Sequence, residues 1–212
     1  MHIIDNYADL PVGKYIDILR ANEGDADELD KQVATIAILT DKTEAEILAL
    51  PLADYAELAA ASAFLRSPDK SRHAVAKTYH LGGLELIPSA DAAKITAGQF
   101  IDFQTLTKDG GLDQRLPEIL SCLLVPKGKA YGTGYDIADV QAAIRAHLPV
   151  SDALALLAFF LTSSEKLLLR SLTSLERIAA KLTDRAKQAE ITGKIRKARK
   201  TLLRTAGDGS EQ

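Results

Sequence analysis

The chain has little of what marks secreted or membrane proteins. Its 212 residues include one cysteine, Cys122, which excludes an internal disulfide and favours a reducing compartment. No apolar run reaches the roughly 18 to 20 residues that a membrane-spanning helix needs. The opening residues, MHIIDNYADL, lack the basic and apolar regions of a signal peptide. We therefore expect neither a signal peptide nor a transmembrane segment.

Tryptophan is absent and aromatic residues are scarce, at 5% of the chain, whereas alanine and leucine are abundant. This composition favours helices over sheets. Apolar residues make up 47% and charged residues 26%, which predicts a folded chain and not a disordered one. The length allows one large domain or two small ones, and either can bury a core.

The sequence also lacks a residue set that specifies catalysis or metal binding. Its histidines, His2, His73, His80 and His147, do not have the spacing of metal ligands. Cys122 lies in the apolar stretch ILSCLLV without positive charge nearby, so we expect a buried thiol and not a reactive one. No serine, histidine and aspartate set has the context of a nucleophile. We expect no enzyme activity, no metal and no cofactor.

The glycine-rich segment from Pro126 to Asp136, PKGKAYGTGYD, is a candidate phosphate-binding loop. It has neither the spacing of a P-loop nor that of a dinucleotide-binding turn, and it follows no clear strand of a βαβ unit. Two interpretations stay open. The segment is either a nucleotide-binding loop, or else a mobile inserted loop or a contact surface.

One phrase occurs twice in the chain. LPVGKYIDI begins at Leu10, and ITAGQFIDF begins at Ile95, so that Gly13 matches Gly98. Two further pairs follow in the same order, VATIAILT with ILSCLLVP and LPLADYAELAAASAFL with LPVSDALALLAFFL. We therefore predict a tandem duplication, with one helical unit at 1–70 and a related unit at 93–162. The alternative is chance similarity among Ala- and Leu-rich helices.

The repeated phrase places Asp17 and Asp102 at matched positions. Paired carboxylates can perform acid–base chemistry or bind a metal. Each aspartate, however, lies in the first turns of a predicted helix, where a negative side chain interacts favourably with the helix dipole. We expect the stabilising role, with the chemical role as the alternative.

Local signals place the other elements. Thr43 with Glu46 and Thr96 with Gln99 have the spacing of capping boxes, so each pair predicts a helix start. The stretch HAVAKTYHLGGLELIPS alternates apolar and polar residues around a Gly-Gly pair, which predicts a β-hairpin within residues 71–92. The fold class is therefore mainly α, with two related helical units, a central hairpin and a long C-terminal helix.

The long C-terminal helix is predicted over residues 163–205, followed by a disordered tail at 206–212. Apolar residues recur along it at alternating spacings of four and three, which is the pattern of a heptad seam. The seam either docks on the same chain or pairs with another subunit. Its leucines are Leu168, Leu172, Leu175 and Leu182.

Charge is unevenly distributed. The first 60 residues contain 13 Asp/Glu and 4 Lys/Arg, whereas residues 177–204 contain 10 Lys/Arg and 2 Asp/Glu. The basic segment is either a solvated helix face, a surface that contacts an acidic protein such as the acidic unit of a neighbouring copy, or a nucleic-acid contact. The candidate partner-binding residues are Arg177, Lys181, Arg185, Lys194, Arg196, Lys197, Arg199, Lys200 and Arg204.

The succession KTYHLGGLELIP, ITAGQFIDFQTLTKD and LPEILSCLLVPKGKAYGTGYD resembles small proteins encoded with the structural genes of tailed bacteriophages, notably those that infect Bacteroidetes. The layout is also similar to that of tail assembly chaperones, although the basic C-terminal helix departs from their acidic type. The resemblance implies a non-enzymatic structural or assembly protein, either a virion connector or tail component or a tail assembly chaperone.

The resemblance also implies other phage structural proteins as partners and a location in the virion or the bacterial host cytoplasm. A homo-oligomer follows from the alternative in which the heptad seam pairs with another subunit. The alternative is an accessory protein that binds nucleic acid through the basic C-terminal helix.

Overall fold

The computed structural model describes residues 3–67, 74–89, 95–108, 112–179 and 192–200, and their side chains except at 166–172 and 174–179. Most of these residues are helical, so the prediction of a mainly α protein is confirmed. The helices are α1 (Val12–Ala21), α2 (Glu28–Thr40), α3 (Glu44–Leu48), α4 (Leu52–Ala61), α5 (Ala97–Lys108), α6 (Leu116–Ser121), α7 (Ile137–His147) and α8 (Val150–Ala179). Short 3-10 helices lie at Ser62–Arg66 and Asp113–Arg115, and residues 192–200 are also helical.

The chain divides into two compact units. The first comprises Met1–Ala90 and Lys94–Ala158, and the second comprises Asp91–Ala93 and Phe159–Gln212. The first unit therefore includes most of both predicted helical units.

The predicted boundary between residues 162 and 163 falls inside α8, which continues without a break from Val150 to Ala179. Of the predicted C-terminal helix, residues 180–191 and 201–205 lie outside the described residues, as does the predicted tail at 206–212. The duplication stays a prediction.

The predicted β-hairpin is confirmed. β1 (Tyr79–Leu81) pairs antiparallel with β2 (Leu84–Pro88). Gly82 and Gly83 form the two-residue turn between them, with φ angles of 55° and 85°. Both angles lie in the left-handed region that glycine tolerates, and two such residues suit the twist of a hairpin.

The sheet contains a third strand that the sequence pattern does not predict. β3 (Leu124–Pro126) pairs antiparallel with β2, so the strand order is β1-β2-β3. The segment ILSCLLVP thus ends α6 and then forms β3, whereas its match VATIAILT is helical throughout, which corrects the expected likeness of the two. The physical reason is that a lone hairpin is marginal in water. Pairing with β3 satisfies the second edge of β2 and accompanies complete burial of Leu86 and Leu124.

Two short segments, which we call the LPV pair, hold the starts of α1 and α8 together. They are Leu10-Pro11-Val12 and Leu148-Pro149-Val150. The N–H of Val12 donates to the carbonyl of Leu148 at 2.9 Å, and the N–H of Val150 donates to the carbonyl of Leu10 at 2.8 Å. Each bond satisfies a backbone donor at a helix start that has no partner within its helix. The leucine and valine side chains of the pair are completely buried.

Both predicted capping boxes are present. The Thr43 hydroxyl accepts from the Glu46 N–H at 3.3 Å, and the Glu46 carboxylate accepts from the Thr43 N–H at 2.8 Å. Thr96 and Gln99 exchange the equivalent bonds at 2.9 and 3.2 Å. Gln99 is buried, and its Nε2 also donates to the carbonyl of Cys122 at 3.0 Å. This cap therefore also joins the start of α5 to the end of α6.

The matched glycines of the repeated phrase have different surroundings. Each is the second residue of its helix, Gly13 in α1 and Gly98 in α5. A Cβ atom on Gly13 would lie 2.7 Å from the carbonyl oxygen of Arg145 in α7. A Cβ atom on Gly98 would meet Thr96 Oγ1 at 3.8 Å, an ordinary contact. The packing of α1 on α7 therefore requires glycine at position 13, whereas α5 tolerates a side chain at position 98.

Replacing each of these two glycines by alanine should change the stability of the protein in opposite directions. Gly13→Ala should lower the free energy of unfolding by about 1–3 kcal/mol, because the new methyl group collides with the α7 backbone. Gly98→Ala should raise it by about 0.5–1 kcal/mol, because alanine favours the helix and has space there. Urea unfolding of both variants measures the difference. Equal shifts would contradict the close approach at Gly13.

Candidate functional site

The structure describes five of the nine predicted partner-binding residues in full. The side chain of Arg177, in α8, and the residues Lys181, Arg185 and Arg204 lie outside the description. Within helical residues 192–200, the lysines and Arg196 are exposed, and Arg199 is half-buried. The residues that this segment brings together are Lys194, Arg196, Lys197, Arg199 and Lys200.

Helical residues 192–200, which we call the basic segment, are amphipathic. Ile195 is only 6% exposed, whereas the cationic side chains around it reach solvent. The segment contains five Lys and Arg residues and no Asp or Glu, so every ionisable side chain in it is cationic.

The predicted seam stays a prediction. Leu168, Leu172 and Leu175 belong to α8, but their side chains lie outside the description, as does all of Leu182.

Asp17 does not have the helix-dipole role expected from the sequence. It is the sixth residue of α1, beyond the first turn, because α1 begins only at Val12. Its Oδ1 lies 2.6 Å from Nη2 of Arg145 in α7. Both side chains are more than 40% exposed, so this ion pair contributes at most about 1 kcal/mol. It is a direct side-chain contact between α1 and α7.

Asp102 also lies beyond the first turn of its helix and bonds to another element. Its Oδ2 accepts a hydrogen bond from Tyr131 Oη at 2.8 Å. The same hydroxyl lies 3.7 Å from Sγ of Cys122. Cys122 is 2% exposed, which confirms the predicted buried thiol, and burial raises its pKa. Burial, together with its bonds to Cys122 and Asp102, also raises the pKa of Tyr131. At neutral pH this cluster is therefore a structural tie between α5, α6 and the glycine-rich loop.

The glycine-rich loop between β3 and α7 is a poor phosphate site. Its Lys127 is already paired with Glu85, with Nζ 2.7 Å from Oε1. The helix that follows is capped by Asp136, whose Oδ1 accepts from the Ala138 N–H at 2.9 Å. That carboxylate puts negative charge where a phosphate would bind a helix start. The geometry therefore favours the contact-surface interpretation.

A cleft of about 540 Å³ lies in the first unit between α1, α2 and the 3-10 helix that follows α4. It is lined in part by Tyr7, Tyr15 and Asn22. Burial, with the negative charge of Asp113 and the nearby Tyr7, raises the pKa of Tyr15 to about 12. At neutral pH this hydroxyl can form hydrogen bonds but cannot serve as a base.

Neither a metal site nor a membrane-crossing helix is present in the described part of the chain. No three His, Cys, Asp or Glu side chains there group as metal ligands. None of the helices there combines the length and apolarity that a membrane crossing requires.

Large apolar side chains are exposed at the junction of α3 and α4. Leu48, the last residue of α3, is 69% exposed, and Leu52, the first residue of α4, is 82% exposed. Of the ten residues of α4, all described, Leu58 alone is buried, where it packs with the core of α2 and α3. At 100° per residue, the exposed apolar residues of α4 form one stripe that begins at Leu52. We define the α3–α4 surface as Leu48, Leu52, Ala53, Ala56 and Ala60.

The α3–α4 surface has an acidic rim. Glu44, Glu46, Asp54 and Glu57 are exposed around it. Residues 43–65 contain these four acidic side chains and no Lys, Arg or His. Sequence reasoning missed this surface. The available signal was an Ala- and Leu-rich helix in a segment without any basic residue.

Comparison with protein families, with curated proteins and with solved structures found no match to this chain. The chemistry of its own surfaces therefore carries the functional argument. Two of these surfaces are candidate contact surfaces. The α3–α4 surface has two highly exposed leucines, and the basic segment has five Lys and Arg residues.

Tyr15 should make the protein sensitive to alkaline pH. Its pKa rises from 10.0 to about 12 on folding, so between these values the folded chain binds the proton more tightly than the unfolded chain. This contribution to stability is complete below pH 10 and is lost as pH approaches 12. Between pH 10 and about 12, the free energy of unfolding should therefore fall less for the Tyr15→Phe variant than for the parent chain, as measured by urea unfolding. Parallel curves for the two proteins above pH 10 would contradict the assignment.

Proposed function

We propose that this protein is a non-enzymatic bacteriophage structural or assembly protein that acts through protein contacts. It serves either as a virion connector or tail component, or as a tail assembly chaperone. The observation that carries the proposal is the α3–α4 surface, where two leucines are more than two-thirds exposed.

The energetics favour covering this surface. Burying a leucine that is exposed stabilises a complex by about 1.5–3 kcal/mol. An apolar helix face rimmed by charge has the composition of a protein interface, with an apolar centre and a polar edge.

The phage assignment rests on the resemblance carried by the hairpin, the repeated phrase and the glycine-rich loop. In the structure these three segments belong to neighbouring elements. β2 pairs with β3, which leads into the glycine-rich loop, and Tyr131 of that loop bonds to Asp102 of the repeated phrase. A contact surface built from these elements suits a small assembly protein without an active centre.

Purified phage particles test the proposal. We expect mass spectrometry to find this chain in particles at a fixed ratio to other structural proteins. For a chaperone, the chain should instead be absent from particles and bound to a tail protein during infection. Absence from particles, with no phage protein bound during infection, would overturn the proposal.

Nucleic-acid binding is the second candidate, and the basic segment is the observation that favours it. Five Lys and Arg residues lie within nine helical positions without an acidic residue. Such a segment can neutralise DNA phosphates without reading base sequence.

A duplex titration across salt concentrations decides this candidate. The logarithm of the binding constant should fall with log salt, with a slope of about −0.9 for each phosphate contacted. The double variant Arg196→Gln with Lys200→Gln should reduce that slope by about 2. Undetectable or salt-independent affinity removes the candidate.

A further inference from the structure

We infer that the α3–α4 surface of one copy receives the basic segment of a second copy, giving a head-to-tail contact. The inference rests on the proposed function as a protein that acts through protein contacts, and it names the partner. The two surfaces are opposite in charge and both are exposed.

Charge complementarity points to this occupant. Residues 43–65 contain four acidic residues and no basic one, whereas Arg196 and Lys200 are exposed cations in a segment, 192–200, that contains no acidic residue. Opposite potentials steer association and fix orientation. An occupant with neutral or acidic chemistry would provide no counter-charge for the exposed carboxylates of Glu44, Asp54 and Glu57.

The same rim disfavours two α3–α4 surfaces facing each other. In a symmetric dimer through this surface, Asp54 and Glu57 of each copy would approach equivalent carboxylates. Like charges brought together across an interface oppose association. In the symmetric arrangement, repulsion between carboxylates therefore opposes the apolar attraction. In the head-to-tail arrangement, attraction between opposite charges adds to it.

The basic segment can also cover the exposed leucines. Ile195 is already buried, so the segment offers the outward side chains of residues such as Arg196 and Lys200. Their methylene stems can lie along apolar surface while the charged ends reach carboxylates. The contact thus combines apolar cover of Leu48 and Leu52 with ion pairs at the rim.

A contact of this kind joins two different surfaces of the same chain. Each copy keeps one unused surface after the first contact, so association continues until a ring closes or a filament grows. Repeating rings and tubes are the architecture that a head-to-tail contact produces.

Two variants separate the surfaces. Arg196→Glu with Lys200→Glu reverses charge on the basic segment and leaves the α3–α4 surface intact. Leu48→Lys with Leu52→Lys blocks the α3–α4 surface and leaves the basic segment intact. All four positions are exposed, so both variants should fold, which circular dichroism verifies. The matched control is Ile101→Lys in α5, which replaces an apolar side chain that is 60% exposed elsewhere.

Sedimentation velocity measures the outcome. The parent chain and the Ile101→Lys control should form species larger than a dimer at low salt and dissociate as salt screens the contact. Each double variant alone should associate roughly tenfold more weakly or worse. An equimolar mixture of the two should form a heterodimer that grows no further, since only one intact pair of surfaces remains.

Other outcomes overturn the inference. A parent chain that is monomeric at low salt contradicts the head-to-tail contact. Association lost only in the leucine variant indicates a symmetric contact. Association lost on nuclease treatment assigns the basic segment to nucleic acid.

The phage role and the head-to-tail contact can be contradicted independently. A chain found in phage particles but monomeric in solution contradicts the head-to-tail contact alone. A chain that forms the mixed heterodimer but never occurs in particles or with a phage protein contradicts the phage role alone.

Discussion

Two backbone hydrogen bonds within the LPV pair fix the arrangement of the first unit. They join residues almost 140 positions apart, and each supplies the partner that the start of a helix lacks. Because Leu148 directly follows α7, joining it to Val12 brings α1 alongside α7. Glycine at position 13 then becomes necessary, and Asp17 reaches Arg145 about one turn further along α1. The proline in each segment removes an N–H that would otherwise need a partner at this buried junction.

Local signals in the sequence were sufficient to predict a feature wherever its hydrogen-bonding partners lie within a few residues of each other. The Thr96–Gln99 cap and the Gly82-Gly83 turn depend on neighbouring backbone atoms, so their spacing predicts them. β3 and the LPV pair depend on partners far along the chain, and no local pattern specifies them. The repeated phrase shows the limit clearly. Gly13 and Gly98 match in sequence, yet the first faces a helix backbone and the second faces open space.

The two candidate surfaces also differ in whether the sequence alone predicts them. The positive charge of residues 192–200 is a property of composition, so the sequence alone reveals it. The exposure of Leu48 and Leu52 is a property of packing, since an Ala- and Leu-rich helix is normally expected to be buried. Asp17 and Asp102 lie at matched positions, but Asp17 reaches Arg145 and Asp102 reaches Tyr131. Their roles could not be read from the phrase because neither partner lies near it in sequence.

The exposed face of α4 is compatible with a stable fold because α4 is held by its other face. Leu58 packs into the cluster of α2 and α3, with Tyr55 and Ala59 beside it. Tyr55 Oη also lies 3.1 Å from Oε1 of Gln32 in α2. Leu52 takes no part in this packing, so its side chain contributes little to the stability of the isolated chain. The exposed apolar stripe is what the proposed partner would cover, and the acidic rim favours a basic surface on that partner.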